Sequence, residues 1–220
     1  MFLYETLIEI SKQYQTYVGC HGFEHTERVI DACIFLGKLL GANMDILIPA
    51  AILHDIGRGN ENHAQHGANM SRKLLNKIKY PKVDEIIHAI ETHSFSSGKE
   101  AKTLESKILN ELNYRQVDEI IHAIEAHSFS SGKEAKTLES KILSDADKLD
   151  AMGAVGIYRA AQYGFEHKRE MKEYLNHFHE KLLKLKDLFY TEEARELAEK
   201  RHDFMIKYLV QVDRELKGLS

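Results

Sequence analysis

Apolar residues recur along this chain with the three-to-four-residue spacing of one helix face, and no stretch alternates apolar and polar residues as a half-buried strand does. Glycines, and one Tyr-Pro step, end most of these periodic segments. The pattern predicts helices over residues 2–17, 24–40, 45–56, 62–79, 137–163, 168–189 and 192–217. No linker rich in proline, glycine or serine divides them, so we expect one all-α domain spanning residues 1–220.

A near-identical internal repeat lies in the middle of the chain. Residues 83–109 and 117–143 differ only in Thr92 of the first copy and Ala126 of the second. Their offset of 34 residues matches the tetratricopeptide repeat, but two copies without its tryptophan, glycine and proline pattern indicate a segmental duplication within one domain instead. Both copies cannot fill one packing slot. We therefore expect an extra helix, with one copy extruded or exchanged in a swapped homodimer.

The junction of the two copies favours continuous helix. No glycine or proline interrupts the chain between Thr103 and His127. The tail of copy one would then fuse with the head of copy two, which reverses the chain direction once. The sequence does not decide which copy takes the native slot.

Composition narrows the classes of partner. The formal net charge of −4 offers neither a basic surface for duplex nucleic acid nor a polybasic membrane patch. The most apolar run, residues 44–53, is too short to cross a bilayer, and no signal peptide is visible. Two cysteines without a CxxC pair fit a reducing compartment, so we expect a cytoplasmic protein. A small phosphorylated ligand stays compatible, because it needs only a local basic group.

His54 and Asp55 stand side by side at the end of an apolar run, where both groups are costly to desolvate without a partner. They can converge on one ion over a helix end if other helices supply further ligands. His25 extends the apolar stripe of its helix, and Asp147 faces packed surface, although Asp145 and Asp150 compete with it. A mixed nitrogen and oxygen set suits Mn, Fe, Ni, Co or Zn better than Ca.

Three motifs in this order resemble the HD superfamily of metal-dependent phosphohydrolases, in particular its small stand-alone predicted hydrolases. They are HGFEHTERV from residue 21, LHDIGR from residue 53 and LSDADKLDAMGA from residue 143. The resemblance covers nearly the whole chain and implies an all-α fold. It also implies a divalent metal (Mg being a further candidate) bound by His25, His54, Asp55 and Asp147. The fourth ligand is placed on Asp147 because the matching aspartate directly precedes the basic residue of the D-x-D-K pattern.

Some members of the superfamily hold two metals, with further histidines as ligands. His63 takes the position of one of these, and His93 or His127 of the two repeats takes the other. Ala64 replaces the proline of the two-metal motif, and no glutamate follows the later histidine. We therefore expect a single metal, with His63, His93 and His127 as second-metal or substrate residues.

The resemblance implies hydrolysis of a phosphomonoester or phosphodiester, most readily of a nucleotide, by metal-activated water. Asp55 would orient that water, and Arg28, Arg58 and Lys148 would contact phosphate. An HD scaffold that senses a nucleotide with little turnover is the alternative. A phosphodiesterase acting on single-stranded nucleic acid is a third reading, which the acidic net charge disfavours.

Overall fold

The computed structural model of the chain describes residues 2–15, 19, 22–60, 63–78, 116–127 and 134–219. Within these residues every regular element is helical and no strand occurs, which confirms the all-α prediction. The helices up to the repeat are α1 (Phe2–Tyr14), α2 (Phe23–Leu40), α3 (Met44–Leu53) and α4 (His63–Lys77). Then follow α5 (116–126), α6 (Leu138–Asp150), α7 (Gly153–Glu166), α8 (Met171–Glu180), a 3₁₀ helix (Leu182–Leu188) and α9 (Glu192–Leu216). In the described part of the chain, no helix is long and apolar enough to cross a membrane.

Helix α3 forms the centre of the core, since every residue from Ile46 to Leu53 is buried. It packs against α1, α2 and α6, which surround it with one buried face each. The predicted helix over 45–56 ends three residues early at Leu53. The chain then tightens into turns, in which the amides of Ile56 and Arg58 bond to carbonyls three residues back. The His-Asp pair therefore lies just beyond a fully buried helix end.

The second repeat copy supplies α5, which packs into the core. Its side chains Val117, Ile120, Ile121 and Ile124 are buried, and each contributes about 1.5–3 kcal/mol by leaving water. The first copy, residues 83–109, lies outside the described residues, as does most of the predicted fused helix. The structure thus shows one helix of copy two in a packed position.

The predicted long helix over 137–163 is wrong, because the structure has two helices there. Thr137 caps α6 with a reciprocal Ser140 hydrogen bond, but α6 ends at Asp150. Gly153, the first residue of α7, has a φ of 71°, which side chains disfavour. A β-carbon there would also lie 3.0 Å from Cγ of Arg201. The break redirects α7 across the end of α6.

The predicted helix over 168–189 is also divided. Helix α8 ends at Glu180, and Leu182–Leu188 is a 3₁₀ helix. Leu182, Leu185 and Leu188 recur every third residue, the period of a 3₁₀ helix, and the first two are buried. This spacing lets them share one face over the cavity described below.

Candidate metal centre

Three helices bring the four predicted metal ligands together. His25 lies in the first turn of α2, His54 and Asp55 follow α3, and Asp147 lies in α6. His25 Nε2 lies 3.2 Å from His54 Nε2, 3.3 Å from Asp147 Oδ1 and 3.9 Å from Asp55 Oδ2. Atoms bound to one divalent ion at about 2.0–2.2 Å lie about 3 Å apart, so these separations fit a shared ion.

The histidine side chains present their Nε2 atoms to this centre because their Nδ1 atoms are already bonded. His54 Nδ1 lies 2.8 Å from the Ala51 carbonyl, and His127 Nδ1 lies 2.5 Å from the Ile124 carbonyl. Carbonyl oxygens only accept, so both Nδ1 atoms carry the hydrogen. Each Nε2 then holds a lone pair. Burial lowers the pKa of His54 to about 4, which keeps its ring neutral at pH 7.

Asp55 is buried yet only half bonded. Its Oδ2 accepts a hydrogen bond of 3.0 Å from Arg58 Nε, but Oδ1 is buried and has no hydrogen-bond partner among the residues that the structure describes. Burial would raise the pKa of Asp55, and the neighbouring His54 and Arg58 outweigh this and hold it below the ordinary value. An unpartnered buried carboxylate oxygen is costly unless a cation faces it. This oxygen is therefore suited to an ion.

The structure separates the three competing aspartates of α6. Asp145 is fully buried and accepts from the amides of Tyr190 and Thr191 at 2.9 and 2.8 Å, which anchors the start of α9. Asp150 accepts from His25 Nδ1 on the far side of that ring. Asp147 alone of the three reaches His25 Nε2. Burial would raise its pKa, and the hydrogen bond with His25 instead holds it well below the usual value.

His127 and His63 lie next to the centre, and His93 lies outside the described residues. The His127 ring is 5.0 Å from that of His54 and 5.5 Å from that of His63, centroid to centroid. A β-carbon on Gly57 would come within 2.4 Å of the Gly67 amide, so these glycines let α4 pack tightly on the turn after Asp55. This close approach brings His63 to the site.

A cavity of about 540 Å³ opens beside Asp147. Its cationic lining residues are Arg58, Lys148, Arg159, Arg169, Lys181 and, when protonated, His177. Tyr163, Leu182 and Leu185 form an apolar wall. Two of the three predicted phosphate contacts, Arg58 and Lys148, are therefore at this cavity.

Arg28 is placed differently from the prediction. Its guanidinium bonds to Asp150 through Nε at 2.6 Å and Nη2 at 3.1 Å, and it does not line the cavity. Sequence reasoning did not identify Arg159, Arg169, Lys181 or His177 as lining residues. The sequence feature that could have indicated them is their position on α7, in the loop after it and at the end of α8. That position points to the cavity only once the break at Gly153 is known.

A family model of the HD domain matches residues 22–118 and 106–152 of this chain. A protein described as uncharacterized protein YpgQ, from Bacillus subtilis strain 168, is 32% identical over 209 residues, covering 91% of this chain and 86% of YpgQ. The crystal structure of Bacillus subtilis YpgQ in complex with ADP is similar, with 29% identity, 97% of this chain and 100% of that chain covered, and a TM-score of 0.63. The structure of an HD-superfamily hydrolase from Bacillus thuringiensis has 28% identity, covers 97% and 96% of the two chains and gives a TM-score of 0.66.

Proposed function

The chain belongs to the HD domain family, and from this premise we propose that it is a metal-dependent phosphohydrolase that cleaves a phosphate ester of a nucleotide. His25, His54, Asp55 and Asp147 hold one divalent ion in this proposal. Their two imidazoles and two carboxylates favour Mn, Fe, Ni, Co or Zn, and Mg is also compatible with the carboxylates. An ion at this position lowers the pKa of a bound water and polarises a phosphoryl oxygen.

One observation carries the proposal. His25 Nε2 and His54 Nε2 lie 3.2 Å apart, and each ring is bonded on its far side, at Nδ1, to an acceptor. Two buried lone pairs at this separation repel each other unless a cation or a proton lies between them. Asp55 Oδ1 is a further buried atom without a hydrogen-bond partner among the described residues. A divalent ion would satisfy the two imidazole lone pairs together.

The chain's own residues have distinct parts in the reaction. Asp55 orients the attacking water through Oδ1, while its Oδ2 is fixed by Arg58. The water oxygen forms a bond to phosphorus and gives one proton to solvent, while the bond to the ester oxygen breaks and that oxygen takes a proton from solvent. Lys148 and Arg58 line the cavity and offset the negative charge on the phosphoryl oxygens. Lys148 is held there by Asp145 at 3.2 Å.

The cavity supports a nucleotide as the substrate class. Its volume of about 540 Å³ lies in the range that encloses small ligands, roughly 300–1,000 Å³. Arg169 and Lys181 extend the positive charge away from Asp147, and the Arg169 guanidinium lies over the Tyr163 ring, 4.7 Å from its centroid. The similar protein YpgQ was crystallised in complex with ADP, which supports a nucleotide as the ligand class.

The test is an assay of metal-stripped protein with Mn, Ni, Mg and Co against nucleoside mono-, di- and triphosphates and simple phosphate esters. We expect turnover only with added metal, and its loss in Asp147→Ala together with weaker metal binding. His66→Ala is the matched control, since His66 is exposed on α4 away from the centre. Bound metal and nucleotide without turnover would favour the nucleotide sensor instead. Failure to bind any of the metals would refute the proposal.

A further inference from the structure

Asp150 is a buried carboxylate directly behind the candidate metal ligands, and its side chain is 6% exposed. Its Oδ2 accepts from His25 Nδ1 at 2.7 Å and from Arg159 Nη1 at 2.7 Å. Arg28 donates to both oxygens, at 2.6 and 3.1 Å. The single side chain thus joins α2, α6 and α7 at the back of His25.

These partners leave only one arrangement of hydrogens. Guanidinium groups have donors only, so both arginines require an ionised Asp150, and an ionised carboxylate can only accept. His25 Nδ1 must therefore donate, which turns the Nε2 side of the ring toward His54 and Asp147. Burial would raise the pKa of Asp150, but the bonds from His25 and Arg28 bring it down to about 2.

His25 is fixed differently from the other two histidines. His54 and His127 each follow a helix, and the Nδ1 atom of each bonds to the carbonyl three residues earlier, in the last turn of that helix. His25 lies in the first turn of α2, where the carbonyl three residues earlier belongs to Gly22 and already accepts from the His25 amide. A side chain from another helix has to fix its ring.

We propose that Asp150 is a positioning residue of the metal centre, which fixes the His25 ring with Nε2 toward the ion and is itself held by Arg28 and Arg159. The inference rests on the proposed metal site. Arg159 also lines the substrate cavity. Arg159 thus lies at the cavity proposed to bind phosphate and also bonds to Asp150, the carboxylate behind His25. It is not one of the proposed metal ligands.

The experiment is a calorimetric Mn²⁺ titration of the metal-stripped full chain, with no substrate present. In Asp150→Asn the side-chain amide keeps one acceptor oxygen, and its NH₂ group lies among the donors of His25, Arg28 and Arg159. We expect Mn²⁺ to bind about 10–100-fold more weakly while the protein still unfolds cooperatively. In the Zn²⁺-loaded protein, the nitrogen NMR signals of His25 should also change from those of a ring with hydrogen on Nδ1.

Asp145→Asn is the matched control, because it removes another buried aspartate of α6 that anchors Thr191 and not a histidine. We expect it to lower thermal stability and leave the Mn²⁺ dissociation constant unchanged. If Asp150→Asn does not fold, Arg159→Gln replaces it, and weaker Mn²⁺ binding is again expected. A folded variant with unchanged Mn²⁺ affinity and His25 signals would overturn the inference alone. Absence of Mn²⁺ binding by the wild type would overturn the proposed function as well.

Discussion

At the scale of single residues, His54 limits the number of ions that the described residues can hold. Two groups of side chains have ligand atoms within 4.8 Å of one another, namely His25, His54 and Asp147, and His54, Asp55 and His127. Both groups include His54. Its Nδ1 bonds to Ala51, so one Nε2 lone pair is left, and one lone pair binds one ion.

The metal content should therefore be one ion per chain. We expect elemental analysis and titration with Mn²⁺ to give one ion in the wild type and in His127→Gln, and none in His54→Gln. His127 would then act on substrate, so His127→Gln should change turnover or the Michaelis constant. Two ions in the wild type, falling to one in His127→Gln, would instead identify His127 as a second-metal ligand.

Asp55→Asn should uncouple stability from metal. In the metal-free protein the substitution removes a buried charge, while the remaining carbonyl can still accept from Arg58. The pKa of Asp55 is held below its ordinary value, so the ionised form stabilises the metal-free fold, and we expect the free energy of unfolding in EDTA to fall in the variant. Mn²⁺ at 100 times its dissociation constant should stabilise the wild type by about 2.7 kcal/mol and the variant far less. Chemical denaturation with and without Mn²⁺ measures both, and an equal gain from Mn²⁺ in the two proteins would contradict this role.

At the scale of the elements, the break between α6 and α7 determines which residues reach the cavity. Helix α6 carries Asp147 and Lys148, and α7 carries Arg159 and Tyr163, which meet at the cavity only because the chain turns at Gly153. An unbroken helix would continue along the axis of α6. The turn is thus as necessary to the site as the side chains are.

Gly153→Ala should weaken this turn. A φ of 71° costs a residue with a β-carbon about 1–2 kcal/mol, and Cγ of Arg201 lies 3.0 Å from the new atom. We expect that loss of stability, together with lower activity because α7 no longer places Arg159 correctly. Gly164→Ala is the control, since its β-carbon would lie 3.8 Å from Cδ2 of Tyr174, an ordinary van der Waals contact, and the variant should gain about 0.5–1 kcal/mol of stability. Equal effects of the two substitutions on urea unfolding would contradict the account.

The limits of sequence reasoning lie at such breaks. Helical periodicity identified the helical class and most helices, because buried faces such as that of α2 repeat every three to four residues. Spacing alone does not reveal a positive φ, so the sequence predicts one helix over 137–163 where the structure has α6 and α7. An unbroken helix gives no indication that Arg159 reaches the cavity. The four predicted ligands belong to local motifs that can be read from the sequence, whereas the partners of Arg28 depend on tertiary contacts.

At the scale of the whole molecule, the duplication leaves the described site dependent on one copy only. His127 and the buried side chains of α5 all belong to copy two. Copy one carries the same residue types at the same spacing, with Thr92 in place of Ala126. The two ranges matched by the HD family model overlap over 106–118, where the copies join. We therefore expect one copy to suffice for a complete domain.

Removal of one repeat unit tests this directly. Deletion of residues 83–116 or of 93–126 leaves one copy, and the two products differ only in Ala126 or Thr92 before the same histidine. We expect both to unfold cooperatively and to bind Mn²⁺ as the full chain does, because the four proposed ligands and one repeat histidine remain. Ala126 is 2% exposed, so a threonine in its place should cost about 1–3 kcal/mol through crowding. If neither product folds, both copies are needed for the fold. If the two products are equally stable, the packed position of α5 does not favour the sequence of copy two.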